Sequence, residues 1–370
     1  MRIAPFRIEK YFERYEFTTR YMLSASDAET RSVGELLALE PDALQRLTEL
    51  RLHYTEGAGS AALRREVAQV YVGLEADDTV VCSSAEEAIF LLYHVLLGPG
   101  DHAVVETPCY QSALELARST GAEVSSWQRH AEDGWAHDLE ALEGLLRPTT
   151  RAVYINTPHN PTGLLMPPEV YRRVLELGRE RGFTVFSDEV YRELEHDPAT
   201  RLPAACDVSS SAVSLGSVSK TYGLPGLRLG WLASRDRELL ARVTDLKYYT
   251  TICSPAPSEL LTELALRHRA GLAERNRAIV LPNLALLDAF LARNRERFSW
   301  TRPDAGPVGF VRLLGEASSE AFCRRVLTGA EVLLLPGTVF DQPQHLRVGY
   351  GRANLPEALE RLEAYLDAPA

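Results

Sequence analysis

The stretch Ser217-Val-Ser-Lys220-Thr-Tyr-Gly-Leu-Pro-Gly-Leu-Arg228-Leu-Gly230 decides how this chain is read. Two hydroxyls stand just before a lysine, a glycine-rich turn follows, and an arginine comes eight residues on. Such a segment makes a compact cationic pocket. Ser217, Ser219 and Arg228 can hold a phosphate there while the amine of Lys220 condenses with an aldehyde. Taken alone, the same residues also read as a surface loop with an ordinary lysine. Composition sharpens the choice: of the 40 Lys+Arg only Lys10, Lys220 and Lys247 are lysines, so chemistry that needs an amine has three candidates.

Upstream of the lysine, Ser187-Asp188-Glu-Val-Tyr191 directly follows the apolar run Phe183–Phe186. An acid at the carboxyl end of a parallel strand sits on the edge where such sheets bind ligands, although Asp188 alone also reads as a helix cap. Ile155-Asn-Thr-Pro-His-Asn160-Pro161-Thr-Gly163 also follows a strand, and Pro161 fixes a turn that can aim the Asn160 amide. In Cys82-Ser-Ser84-Ala85-Glu86-Glu a helix opens. Its free amides and dipole offer a second half of a phosphate cradle, with the Glu86 side chain read as a favourable first-turn charge. Tyr110 can stack on a ring and Tyr54 can donate a phenol to a phosphate, but each is otherwise a core tyrosine. Arg347, inside the strand around Leu346–Val348, is either a bidentate partner for a substrate α-carboxylate or a solvated ion pair.

Pyridoxal phosphate (PLP) asks for this set. Its aldehyde needs Lys220, and its pyridine nitrogen needs a carboxylate such as Asp188 to stay protonated. Its ring oxygen needs donors such as Asn160 and Tyr191. The bulk sequence is compatible with such an enzyme. At 370 residues two domains are expected, and from about residue 60 to 250 short apolar runs alternate with helical periods. Candidate strands are Thr79–Cys82, His102–Glu106, Ala152–Asn156, Phe183–Ser187, Ala212–Leu215 and Leu227–Leu232. Alternation of this kind predicts an α/β domain with a mostly parallel sheet covered on both faces. A long helical stretch after Pro257, then short strands at Val308–Leu313, Val332–Leu335 and Leu346–Val348, outline a smaller α+β domain. The expected division is 35–260 for the large domain, with 1–34 and 261–370 forming the small one. The net charge of −11 without a basic run argues against a nucleic-acid partner, and no apolar run is long enough for a membrane span. Five cysteines without paired spacing suit neither a disulfide framework nor a metal site, and point to the cytoplasm.

Taken in order, the Tyr54 segment, Ser84-Ala85-Glu86, Pro108/Tyr110, Asn160-Pro-Thr-Gly, Asp188/Tyr191, the lysine motif and Arg347 resemble the class I/II aminotransferase family, the PLP-dependent fold type I group. The resemblance runs over roughly residues 50–355. It implies a large domain built on a seven-stranded, mostly parallel sheet, plus the smaller α+β domain. It also implies amino transfer between an amino acid and a 2-oxo acid, and a homodimer whose active sites lie at the interface, each taking Tyr54 from the neighbouring subunit. One departure is visible. The family's N-terminal glycine–acid–proline segment is replaced by Tyr21-Met-Leu-Ser24-Ala-Ser26-Asp27-Ala-Glu29-Thr, which resembles a branch that cyclises a hydroxylated arginine. PLP-dependent elimination, replacement or cyclisation at Cβ or Cγ is therefore the alternative, because the cofactor residues would be the same. A ligand-sensing regulator on this fold would need a DNA-binding domain ahead of it, and the chain begins almost directly with the fold. Ser24, Ser26, Asp27 and Glu29 stand where a substrate is normally covered, so they are candidates for binding a basic side chain. Ser32 and Glu35 form an expected capping box that accounts for part of this pattern without a ligand.

Overall fold

The computed structural model describes residues 3–368; the outermost residues of the expected 1–34 and 261–370 segments, 1, 2, 369 and 370, lie outside it. Thirteen strands are present among the described residues: β1 (Tyr21–Met22), β2 (Thr79–Cys82), β3 (His102–Thr107), β4 (Glu123–Gln128), β5 (Thr150–Asn156), β6 (Thr184–Asp188), β7 (Ala212–Ser217), β8 (Gly230–Ala233), β9 (Phe298–Trp300), β10 (Val308–Leu313), β11 (Val332–Leu333), β12 (Leu335–Pro336) and β13 (His345–Gly349). Seven of them form one sheet in the order β2-β8-β7-β6-β5-β3-β4. All its neighbours run parallel except β8, which is antiparallel to both β2 and β7. Every residue of β2, β3, β7 and β8 is buried, as expected for strands covered on both faces. Helices Ala85–Leu96, Gln111–Ser119 and Arg237–Lys247 pack on one face, where Leu91, Leu92, Leu116, Leu239 and Val243 meet Val105, Phe186 and Leu215. Helices Leu139–Leu145 and Pro168–Arg181 contribute Leu142, Val174 and Leu177 to a second apolar cluster with Val104, Val153 and Val185.

The other strands form a four-stranded antiparallel sheet, β12-β13-β10-β9, and a parallel pair, β1-β11. Their cluster includes Leu23 of the N-terminal segment, Val311 and Leu346, and is covered by helices Arg269–Arg293, Ser319–Ala330 and Leu355–Asp367. The expected Ser32/Glu35 capping box is present at the start of helix Val33–Leu37.

Three expectations need correction, and one strand was not expected. The strand expected at Leu227–Leu232 starts only at Gly230, because Pro225–Leu227 is a 3₁₀ turn and Arg228 has left-handed backbone, φ 52°. The run Val332–Leu335 splits between two sheets. The helical stretch after Pro257 is two helices that meet at His268. Edge strand β4 had no expectation at all: Glu-Val-Ser-Ser-Trp-Gln is largely polar, and only Trp127 is fully buried.

Candidate active site

Register brings the site together. Asn156 lies opposite Asp188 across β5 and β6, Ser217 opposite Gly230 across β7 and β8, and Cys82 opposite Gly230 across β2 and β8. The ends of these strands therefore share one sheet edge, and the loops that leave them meet in a cavity of about 450 Å³. Its lining includes Ser84, Ala85, Glu86, Tyr110, Asn160, Asp188, Tyr191, Ser217, Ser219, Lys220 and Arg228. Eleven of the residues singled out in the sequence, drawn from five separate segments between positions 84 and 228, thus converge. A larger cleft of about 550 Å³ around Arg7, Gln128 and Asp341 contains no lysine.

The phosphate end is made by chain geometry. Ser84 caps the helix Ala85–Leu96 by accepting from the Glu87 N–H, and the Ala85 and Glu86 N–H groups have no intrahelical acceptor. Ser84 pays for this position with φ 139°, ψ 167°, a region costly for any residue with a Cβ. Gly230 lets β8 approach that helix start: a Cβ there would lie 2.7 Å from the Ala85 nitrogen. Beside it, Ser217 Oγ donates to Ser219 Oγ at 2.9 Å and accepts from the Ser219 N–H at 3.0 Å. Arg228, in its left-handed conformation, is exposed at the cavity wall and donates to the Pro225 carbonyl. Amides at a helix start, two serine hydroxyls and a guanidinium form a suitable donor set for a phosphate.

At the centre, Lys220 Nζ donates to Ser26 Oγ at 2.8 Å. Burial lowers the Lys220 pKa, reinforced by the Arg347 guanidinium and opposed by Asp27, Glu9 and Asp188. Asp188 is held by Tyr154, whose hydroxyl donates to Oδ2 at 2.9 Å, and by the Val190 N–H on Oδ1 at 3.2 Å. Burial raises it to about 6 against the pull of those two donors and of Lys220. Tyr191 donates to the Ser26 carbonyl at 2.9 Å. Asn160 receives Arg347 Nη1 on its Oδ1 at 3.2 Å, which leaves its amide N–H groups available. An amine, a carboxylate, a ring (Tyr110) and a phosphate cradle around one cavity fit PLP.

Arg347 is 1% exposed; besides Asn160 it donates to the Ser24 carbonyl at 2.8 Å, and its buried Nε has no partner among the described residues. Tyr54 stands apart: it does not line the cavity and is 81% exposed. The acids of the 24–29 segment are engaged elsewhere. Asp27 receives Arg352 on both oxygens at 2.9 Å, and Glu29 accepts from the Ala353 N–H at 2.7 Å, so the expectation that they face a basic substrate is not met. Only Ser26 of that segment lines the cavity.

Some functional neighbours escaped the sequence reading. Phe6 and Glu9 line the cavity from the helix Arg7–Tyr15 region, with Glu9 accepting from the Tyr110 hydroxyl at 2.8 Å. Behind the Asn160 loop, buried Glu106 accepts from Arg129 Nη1, His137 Nε2 and the Asn156 N–H at 2.8–2.9 Å. Burial opposes its ionisation, yet His159, His137 and Arg129 hold its carboxyl well below the usual range. Asn156 Oδ1 in turn accepts from the Asn160 N–H at 2.7 Å, so this network fixes the asparagine loop. A Glu in the Glu-Thr-Pro-Cys-Tyr sequence was the available signal; its partners, 23 and 31 residues on, were not.

Fold and site together define a PLP-dependent enzyme of fold type I. The family model for class I and II aminotransferases matches residues 23–362, and the chain belongs to that family. It is similar to a PLP-dependent aminotransferase structure from Streptococcus suis, with 33% identity, a TM-score of 0.94 and 100% of both chains covered. It is also similar to the PLP-dependent cyclase OrfR, with 31% identity, a TM-score of 0.91 and 99% and 98% covered. Among curated proteins it resembles capreomycidine synthase of Streptomyces vinaceus, 29% identical over 340 residues that cover 91% of this chain and 87% of that one. Among the described residues, no helix is long and apolar enough to cross a membrane.

Proposed function

We propose that this enzyme transfers an amino group from an amino acid to a 2-oxo acid, with PLP held at Lys220. The phosphate would rest on Ser84, Ala85, Glu86, Ser217, Ser219 and Arg228, the first two and Glu86 acting through the helix start. When bound, PLP supplies an aldehyde that joins to amines and a ring that accepts the electron pair left when a proton leaves Cα. Asp188 holds a proton at the pyridine nitrogen, and its carboxylate is kept in place by Tyr154 and the Val190 N–H. Asn160 and Tyr191 would hold the ring oxygen, and Tyr110 would cover the ring; all three line the cavity. Arg347 orients the substrate through its α-carboxylate, a reading supported by its buried Nε, which has no partner among the described residues. Lys220, with its depressed pKa, takes the proton from Cα and returns it during the exchange. Ser26 Oγ, 2.8 Å from Nζ, holds the amine at the cavity wall.

The observation that carries this reading is the meeting of Lys220 and Asp188 in one cavity with the serines and Arg228. Two copies of the chain are part of the proposal, with Tyr54 reaching the neighbour's phosphate; its 81% exposure supports this. So is a place in cytoplasmic amino-acid metabolism, supported by five cysteines that are all unpaired. Cyclisation, elimination or replacement at Cβ or Cγ is the second reading, favoured by the likeness to OrfR and to capreomycidine synthase. Incubating the holoenzyme with amino acids and a 2-oxo acid separates the two. A new amino acid formed from the 2-oxo acid is expected. Consumption of the substrate into a cyclised or eliminated product, with the 2-oxo acid unchanged, would replace the first reading by the second.

A further inference from the structure

We propose that Glu9 and Glu86 select a substrate whose side chain carries a positive charge, an amine or a guanidinium. This deepens the transferase reading and rests on it. The charged residues lining the cavity are Glu9, Glu86, Asp188, Lys220 and Arg228. Lys220, Asp188 and Arg228 are taken up by the cofactor. The remaining charge on the wall is therefore two carboxylates, and neither forms a salt bridge among the described residues. Glu9 is exposed on the cavity lining, with Oε1 accepting from the Tyr110 hydroxyl at 2.8 Å and Oε2 without a hydrogen bond among the described residues.

Burial pushes Glu86 up to about 7, with Glu9 and Asp188 adding to the shift against Ser112 and Arg228. Ionising a half-buried carboxyl beside like charges is costly until a cation reaches it, and a neutral apolar side chain placed there would leave it without a partner. An ammonium or guanidinium removes that cost. Two further features suit such a ligand. Phe6, Tyr110 and Ile89 line the same cavity and can take the methylene stem of a long basic side chain. The fully buried Arg347, packed against the lining Asn160, keeps an unpartnered Nε for the α-carboxylate. A dipolar amino acid with a cationic tail would thus find a donor for its carboxylate and acceptors for its tail. The acids of the 24–29 segment do not compete for this role, because Arg352 engages both Asp27 and Glu29.

The test is a titration of the purified holoenzyme, following the cofactor absorbance band. L-Ornithine, L-lysine and L-arginine are compared with L-norvaline and L-norleucine, which have similar stems without the charge. The basic amino acids should bind at least about tenfold more tightly, the value of one charge-assisted hydrogen bond. Glu9→Gln keeps an acceptor for Tyr110 and should cut that preference by roughly tenfold, and Glu9→Lys should abolish it. Glu86→Gln should cut it as well, read as the ratio of basic to neutral affinity so that a general change in cofactor binding cancels. Equal affinities for basic and neutral amino acids in the native enzyme would overturn the inference, as would a preference that survives in both glutamine variants. If no amino acid at all changes the band, the transferase reading itself fails.

Discussion

Two of the three lysines are already committed to structure: Lys10 pairs with Glu13 on the surface, and Lys247, fully buried, donates to the Gly57 carbonyl at 2.6 Å. Lys220, whose amine hydrogen-bonds only to a serine hydroxyl among the described residues, is the one expected to carry the cofactor. After borohydride reduction and proteolysis, mass spectrometry should find the cofactor on the peptide containing Lys220, and Lys220→Ala should lose the attachment while retaining weak phosphate-dependent binding. Label on Lys10 or Lys247 would refute the assignment. Asp188 permits a test by pH. Its pKa is raised from 3.8 to about 6, so the folded, cofactor-free protein binds its proton more tightly than the unfolded chain does. The stability this contributes is full below about pH 4 and is lost as pH rises through about 6. Asp188→Asn should therefore match the native protein near pH 4 and exceed it by up to about 3 kcal/mol at pH 8, at 1.36 kcal/mol per unit. A gap in urea denaturation that stays constant across this range would show that burial does not set the Asp188 proton. With the cofactor restored, the same variant should lose most activity. At this scale the sequence was highly legible, since each motif carries its chemistry in adjacent letters. Glu9, Tyr154 and Ser26 were not assigned their contacts, because their partners lie 101, 34 and 194 residues away and no local pattern announces them.

Helices and strands were legible where burial imposes a pattern, and illegible where backbone geometry or an edge does. Fully buried β3 and β7 stood out as apolar runs, whereas β4 has one buried side chain in six and reads as loop. The start of β8 was misplaced because a non-glycine residue, Arg228, turns the chain through the left-handed region. Ser84 is a second case of the same kind. Its backbone, φ 139° and ψ 167°, favours glycine, yet its hydroxyl accepts from the Glu87 N–H at 3.2 Å. Strain and capping therefore act in opposite directions at the first residue of the phosphate cradle. Ser84→Ala keeps the strain and loses the cap, and should lower the stability of the cofactor-free protein by about 1 kcal/mol. Ser84→Gly relieves the strain at a small capping and entropic cost, and should leave stability unchanged or raise it by up to about 1 kcal/mol. Urea denaturation of both variants decides the point; equal losses would mean that the Ser84 backbone is not strained.

The surface of the whole molecule offers the remaining test. Leu52, Tyr54, Tyr249, Tyr248 and Ile252 are 82%, 81%, 89%, 51% and 49% exposed, an unusual number of large apolar side chains from two short segments. The segments are held against one another. Lys247 donates to the Gly57 carbonyl, Thr55 Oγ1 donates to the Ser254 carbonyl at 2.9 Å and to Glu259 at 3.0 Å, and Gly57 lies so close to the Tyr248 ring that a Cβ would sit 2.5 Å from it. The patch is also tied to the site. Thr250 and Thr251 donate to Glu87, whose other oxygen accepts from the Ser83 N–H beside the phosphate cradle. A fixed apolar patch joined to the cofactor pocket is what a second copy of the chain would cover. On that basis Tyr249→Asp together with Ile252→Asp should convert a dimer into a monomer in sedimentation velocity, because two buried charges would face the partner's apolar side chains. Cofactor retention should fall with it. Tyr54→Phe removes one hydroxyl and no apolar surface, so it should leave the dimer intact and weaken cofactor retention by roughly tenfold, the scale of a hydrogen bond to a charged group. Dialysis against a cofactor-free buffer, followed by absorbance, measures both. A native protein that sediments as a fully active monomer would remove Tyr54 from the site altogether.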